Sequence, residues 1–526
     1  MKLARSELIT EIDSYAQNIL GVSVMTLMER SGDAVASVVR HRVKEGGKVV
    51  ILAGKGNNGG DGYAAAIKLM SSYDVKVIDV FGEGQRTEEG KHFLEEYKRL
   101  GGNIENLKLT DTKKQEIRTA DCIVDAIFGT GFRGEIPEIV KELSVVISES
   151  LGAEKIAIDV PIGVDADDGS VEDCAFSATA TVELCFIKPG IVSYPARSYV
   201  GEIIFDDLGL PRHIIREYFN DRLCYDLTDS KWAAETLPAR ETNSNKGSFG
   251  KLLMITGSKR FRGAGRLSLS AALRGGVGLV TYVGDPLLVD DFSVEYPEAV
   301  YKAMPLGDEL TDDSIKELAL LSAKHSATLV GSGSDNTDGL AALVRRLLDT
   351  EGGTLILDAD AINVLAQSPE EGRAAIKAAK RKVILTPHPL EFARISGLDV
   401  AYVQLNRMEV AIDFAKEYNC TLVLKGAGTL VTDGDCVFVN KSGSSALAKA
   451  GSGDVLAGFM GALAAFVDDT NEAAALAVFF HGKAADALAK EFSTFGVTPS
   501  DLPVAIAKQI SKVEARQKCG NKKGVR

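Results

Sequence analysis

The chain has 526 residues, 25% of them charged and 45% hydrophobic, enough for more than one domain with a core of its own. Its formal charge of −13 argues against a general binder of nucleic acid or anionic membrane, because either needs a concentrated basic face. The polar start "MKLARSELITEIDSYAQ" is no signal peptide, and no apolar run reaches the roughly 18 residues of a membrane span, so a cytoplasmic protein is expected.

The leading segment, with "SVMTLMERSGDAVASVVRHRV" at helical spacing, predicts one or two helices. From about 48 to 206, β-rich runs alternate with helical segments: "KVVILA", "VKVIDV", "CIVDAI", "KIAIDV", "ATVELCF", "GEIIFD". Such alternation predicts a mostly parallel sheet covered on both faces. A polar stretch with breakers at about 211–246 holds the only Trp, and a domain boundary is expected at 219/220. Beyond it come "KLLMIT", "GLVTYV", "TLVG", "GTLILD", "KVILT" and "TLVL", then a hairpin of "GTLVTDG" and "CVFVN" joined through "DGD". Two Gly/Ala-rich helices, "GDVLAGFMGALAAFV" and "EAAALAVFFHGKAADALAKEF", close a second α/β domain over 220–512. The basic residues 513–526 read as a solvated or disordered tail. The seven cysteines are scattered without a CxxC, which predicts reduced thiols rather than disulfides or zinc.

Ligands of parallel sheets sit beyond the carboxyl ends of strands. In the first half those ends carry Asn57, Asn58 and Asp61 of "GKGNNGGDG", Asp125 followed by "GTGFRGE", Asp159 of "IAIDVPIGVDADDG", and Lys188 of "FIKPG". The glycine loop lacks the Lys-Ser/Thr ending of a Walker A motif. Its amide oxygens, with the Asp125 carboxylate and loop carbonyls, suit a hard cation. In the second half Gly451-Ser452-Gly453 open a helix whose first turn holds Asp454. Unpaired N–H groups there make an anion site, and the helix dipole is expected to keep Asp454 ionised near neutral pH. Around it gather Lys425 to Thr429 ("KGAGT"), His388 and Glu391 ("LTPHPLE"), and Asp358, Asp360 and Asn363 ("ILDADAINVL").

Together "GNNGGDG", "DAIFGTGFRGE" and "DVPIGVDADDG", followed by "NKGSFGKLLMITGS", "DADAINVL", "LTPHP", "LVLKGAGTLV" and "AGSGDVLAG", resemble the bifunctional NAD(P)H-hydrate repair enzymes. These join a Rossmann-like epimerase domain to a ribokinase-like, ADP-dependent dehydratase domain, and the likeness covers nearly the whole chain. By motif, the resemblance implies a potassium ion on Asn58, Asp125 and Ile162. It implies hydrated NADH or NADPH bound by Asn57, Asn58, Gly59, Gly60, Asp61, by Gly129, Thr130, Gly131, Phe132, Arg133, Gly134, Glu135, and by Asp159. In the second domain it implies substrate on Ala264, Gly333, His388 and Asp454. It places ADP or ATP, with magnesium, on Lys425, Gly426, Ala427, Gly428, Thr429 and Gly453. Asp159 and Asp454 are the implied catalytic residues, small-molecule nucleotides the partners, and a homo-oligomer the expected state.

This chain departs from the family pattern in placing Ile162 where Ser is usual, Asn245 for His, Leu390 for Gly, Ala450 for Gly, and "GSGSD" for "GPGLG". Ile162 serves the cation only through its backbone carbonyl, and Ala450 is tolerated only at negative φ. Two other readings stay open at this point: a ribokinase-type small-molecule kinase with an accessory nucleotide-binding domain, and a first domain that binds without turnover.

Overall fold

Alternate residues along each apolar run face opposite sides of a sheet, and here both sides are covered. The computed structural model describes residues 1–82 and 84–521. It divides into two compact units, Lys2–Tyr225, and Asp226–Arg526 together with Met1. The break lies just beyond the expected 219/220.

In the first unit, helices α1 (Ser6–Asn18) and α2 (Val24–Arg42) precede β1 (Lys48–Ala53), α3 (Asn57–Leu69) and β2 (Asp74–Asp79). Then follow β3 (Asn103–Asn106), β4 (Cys122–Ala126), β5 (Glu154–Ile158), β6 (Ala180–Leu184) and β7 (Glu202–Asp206). The sheet order is β3-β2-β1-β4-β5-β6-β7, parallel throughout. Val49, Ile51 and Ala53 of β1 enter the core shared with α1, α2 and α3. Val50 and Leu52 enter the opposite core, with Val140, Leu143 and Ile147 of helix Glu138–Ser148. The chain leaves β1 in one direction for β2 and β3, then returns on its other side as β4. The resulting crevice, at the carboxyl ends of β1 and β4, is where an open α/β sheet binds ligands.

The second unit repeats the principle with β8 (Tyr225–Thr228), β9 (Lys251–Ile255), α4 (Arg262–Arg274), β10 (Leu279–Gly284), β11 (Val300–Ala303) and β12 (Ala327–Val330). It continues with β13 (Thr354–Leu357), β14 (Val383–Leu385), β15 (Thr421–Leu424), β16 (Leu430–Thr432), β17 (Val437–Asn440), α5 (Ser452–Ala464), α6 (Thr470–Gly496) and α7 (Leu502–Asn521). Neighbours run β8-β17-β16-β15-β14-β13-β12-β9-β10-β11, with the switch point between β9 and β12. The expected hairpin is β16–β17, antiparallel with Val431 opposite Phe438.

Several short strands escape the sequence pattern. Of these, β3 ("NIEN") and β11 ("VYKA") lie at sheet edges, where one solvated side leaves no long apolar run. The segment read as a polar lapse folds as helix Arg212–Tyr218, β8 and helix Ser230–Thr236, with Trp232 buried against Phe438 and Phe479. The tail expected to start at 513 is corrected. There α7 continues to Asn521, Val513 is buried, and Gln517 donates to the carbonyls of Ala234 and Leu237. A basic composition hid an apolar stripe. Residues 522–526 of that expected tail lie outside the described residues.

Candidate functional site

Each unit places polar residues at its own switch point. In the first, Gly54 passes so close to β4 that an added Cβ would lie 1.9 Å from the Ile127 carbonyl oxygen. This approach brings the uncapped N-terminus of α3 beside the end of β4. Asn58 is buried and donates through Nδ2 to the carbonyls of Phe128 (2.6 Å) and Ile158 (3.2 Å). Its Oδ1 is buried without a partner, an arrangement that costs free energy unless a cation or a water meets it. Asp125, fully buried, accepts the backbone N–H groups of Ile127 (3.1 Å) and Ile162 (2.9 Å), and no other described residue donates to it. Burial pushes its carboxyl up to about 7.

Asn58 borders a cavity of about 1030 Å³ lined also by Asn57, Asp61, Gly129 to Arg133, Asp159 and Lys188, and Asp125 lies behind its lining. Asp159 sits just past β5 with φ of +68°, a conformation uncommon outside glycine. Its Oδ2 accepts the Thr130 N–H at 3.0 Å, and its Oδ1 pairs with the Lys188 ammonium. Lys188 is 1% exposed and lies 3.4 Å from the buried Glu183. Burial opposes its charge, but Asp159 and Glu183 hold it above its ordinary value. Burial pushes Glu183 up to about 8 and Asp61 well above the carboxylate range. Phe128 and Phe132 stack with centroids 3.9 Å apart, and the Lys55 ammonium lies 5.6 Å from the Phe81 ring centroid.

Not every expected residue faces this cavity. Gly59 and Gly60 do not line it. Added Cβ atoms there would fall 2.1 Å from the Gly54 oxygen and 2.4 Å from the Met28 sulfur, so these glycines serve close packing. Gly134 lines a smaller neighbouring cavity of about 200 Å³, reached also by Ile162. Glu135 lines neither. Residues of α1 line the larger cavity without having been singled out in the sequence: Thr10, Asp13 and Gln17, at helical spacing. Burial raises Asp13 to about 6.

In the second unit, Asp358 at the end of β13 is buried and accepts from Ser332 Oγ (2.8 Å), Thr386 Oγ1 (2.7 Å) and Lys425 Nζ (3.1 Å). Lys425 Nζ also lies 4.0 Å from Glu391. His388 and Glu391 form a reciprocal cap at the start of helix Pro389–Ser396. Burial, then the Lys425 charge, lowers His388 below its ordinary value. The α5 N-terminus has no side-chain cap, and Gly451, with φ of +98°, turns the chain into it. The left-handed position thus falls on Gly451, and Ala450 is not among the residues of positive φ. A Cβ on Gly453 would lie 3.7 Å from Lys425 Nζ, which brings the glycine loop and the lysine together. Gly333 and Ala264 meet across the switch point, an added Cβ on Gly333 lying 2.5 Å from that of Ala264. Gly426 adopts φ of +141°, beneath the buried Arg407, and Thr429 Oγ1 donates to the Gly426 carbonyl at 2.9 Å. Asn245 accepts the Gly247 N–H at 2.8 Å as a helix cap, and Leu390 is exposed.

One electrostatic expectation is corrected. Burial, and then the Asp358 charge, raise Asp454 to about 7, with Lys425 only partly offsetting them. The helix dipole does not keep it fully ionised at neutral pH, because desolvation among carboxylates outweighs an effect of about 0.3–1 kcal/mol at exposed positions.

Comparison with known proteins gives the same division. A family described as "YjeF-related protein N-terminus" matches residues 24–190, and one described as "NAD(P)H-hydrate dehydratase" matches residues 252–508. The "Bifunctional NAD(P)H-hydrate repair enzyme Nnr" of Moorella thermoacetica is 32% identical over 94% of this chain and 93% of that protein. Its counterpart from Coxiella burnetii is 34% identical over 92% and 94%, and that from Escherichia coli 31% over 93% and 90%. Among solved structures, a Bacillus subtilis ADP/ATP-dependent NAD(P)H-hydrate dehydratase, co-crystallised with ATP and Mg²⁺, is 29% identical. It covers 55% of this chain and 98% of its own, with a TM-score of 0.48.

Proposed function

Since the chain belongs to the bifunctional NAD(P)H-hydrate repair enzymes, with an epimerase domain followed by a dehydratase domain, we propose how its own residues divide that work. The substrate carries a hydroxyl on C6, next to the ring nitrogen, so C6 is a carbinolamine carbon. In the first unit, Asp159, oriented by Lys188 and the Thr130 N–H, exchanges a proton with this hydroxyl. Such a group contributes about 10²–10⁴-fold. Asn57, Asp61 and the Gly129–Arg133 loop bind the nucleotide. The partnerless Asn58 Oδ1 and the buried Asp125 carboxylate, with the Ile162 carbonyl, fit a potassium ion. When bound, that ion would neutralise Asp125 and fix the two loops.

In the second unit, Asp454 takes the proton of the S-hydrate hydroxyl as its oxygen attacks the terminal phosphoryl group of ADP. The N–H groups opening α5 and the Lys425 ammonium stabilise the moving charge. The bond to the departing AMP breaks and a phosphate ester remains on C6. The ring nitrogen then expels orthophosphate, and loss of a C5 proton restores the dihydropyridine. Ala264, Gly333 and His388 border the substrate, and Gly426, Ala427, Gly428 and Thr429 the nucleotide; when bound with it, magnesium would offset the phosphate charge. ATP is the alternative donor. The single observation behind this assignment is the Asp454 carboxylate. It stands at an uncapped helix N-terminus within the field of Lys425, and no described residue donates a hydrogen bond to it.

With pure S hydrate and ADP, Asp454→Asn should dehydrate about 10²–10⁴-fold more slowly while R/S interconversion continues unchanged. Dehydration at the wild-type rate would end the assignment. A reducing, cytoplasmic setting agrees with the free, buried Cys122, Cys185 and Cys420. Self-association into a homo-oligomer belongs to the same proposal and is read directly by light scattering.

A further inference from the structure

Inverting C6 through loss of its hydroxyl takes two proton transfers, on opposite faces of the ring. One group must protonate the hydroxyl as the C6–O bond breaks and the ring nitrogen lone pair forms C6=N1. Another must take a proton from the water that adds to the other face. One C–O bond breaks, one forms, one proton enters and one leaves, with no oxidant. Asp159 supplies one such group, on the wall made by β5 and the Gly129–Arg133 loop.

The same cavity has a second wall, α1, whose Thr10, Asp13 and Gln17 line it. Asp13 differs from the more buried carboxyls of this unit, and from Glu7, which also lines the cavity but is exposed, in being half-buried. Asp159 is engaged by Lys188 and Thr130, and Asp125 by two backbone N–H groups. Among the described residues none donates a hydrogen bond to the Asp13 carboxyl or pairs with it. Asp61 is almost wholly buried. Asp13 therefore keeps its oxygens for whatever enters the cavity. The charged and titratable groups that act on it are Lys188 and Asp159, together with Asp61 and Cys185.

We infer that Asp13 is the second acid/base group of the epimerase, working on the face of the nicotinamide ring opposite Asp159, with α1 as the wall that carries it. This rests on the epimerase reading of the first unit. Its elevated carboxyl, near 6 through burial, suits a group that must both give and take a proton at neutral pH.

The test uses the full-length chain and separated R and S hydrates in water enriched in oxygen-18. Wild-type enzyme should place one solvent oxygen on C6 per inversion. Asp13→Asn should slow inversion and label uptake together by about 100-fold. It should leave ADP-dependent dehydration of pure S hydrate unchanged, as well as affinity for tetrahydro-NAD, which lacks the hydroxyl and reports a folded first cavity. Asp13→Glu should recover part of the rate. Wild-type inversion rates in Asp13→Asn, or inversion that keeps the original oxygen, would overturn the inference. Asp159→Asn is the separate control: unimpaired inversion there would sink the epimerase assignment itself, whatever Asp13 does.

Discussion

Asp454 and Asp125 stand at rims of parallel sheets, yet desolvation governs both more strongly than any nearby dipole. For Asp454 the consequence is a pH profile. A general base works only when ionised, and its carboxyl sits near 7. Dehydratase kcat/KM should therefore rise about tenfold per pH unit below about 7 and level off above it; a flat profile between pH 5 and 8 would contradict the role. Asp125 makes a prediction about ions. Potassium should raise the melting temperature of wild-type protein by several degrees relative to a tetraalkylammonium salt. In Asp125→Asn that difference should vanish, because the substitution removes the anionic half of the proposed cation site. A melting temperature indifferent to potassium would remove the ion from the first site.

At the scale of elements, the second site depends on how α5 lies across α4. An added Cβ at Gly458 would fall 2.0 Å from the Ser268 carbonyl oxygen, and one at Gly275 would fall 2.4 Å from Ala462 Cβ. These glycines let two helices approach closely, and the N-terminus of α5 with Asp454 is aimed by that approach. Gly458→Ala should destabilise the second unit by about 1–3 kcal/mol through overpacking. It should also lower dehydration more than epimerisation, as seen by thermal melting together with the two activities measured separately. The helices themselves were legible, since "GDVLAGFMGALAAFV" announces a small-residue face. The angle at which α5 arrives was not, because it follows from contacts with a segment far away in the chain. The same holds for α1. Its helical period is plain in the sequence, but nothing local says that Asp13 turns toward the loop after β5 rather than toward solvent.

At the scale of the whole molecule, two activities on one chain predict a particular time course. Mixed R and S hydrates with ADP should return fully to the reduced cofactor, followed by its near-ultraviolet absorbance. In Asp159→Asn recovery should stop near the S share, and in Asp454→Asn it should barely begin. Accumulation of a stable phosphorylated product would instead indicate a kinase.

What the sequence determined by itself was the β/α alternation of both halves and the motif strings at strand ends, because covered parallel strands need continuous apolar runs and their carboxyl-end loops carry ligand chemistry. It also identified Asn58, Asp125, Asp159, Lys425 and Asp454 as polar residues at the ends of those strands and at the helix starts that follow them. Only the tertiary structure decided that Lys188 and Glu183 are buried behind Asp159, that Asp13 joins the cavity, and that Asp358 ties Lys425 to Ser332 and Thr386. The same holds for Asp454, raised to about 7 instead of kept ionised. Pairing and desolvation depend on which distant strands and helices end side by side. Local periodicity reports which face of an element is buried and carries no record of what lies across from it.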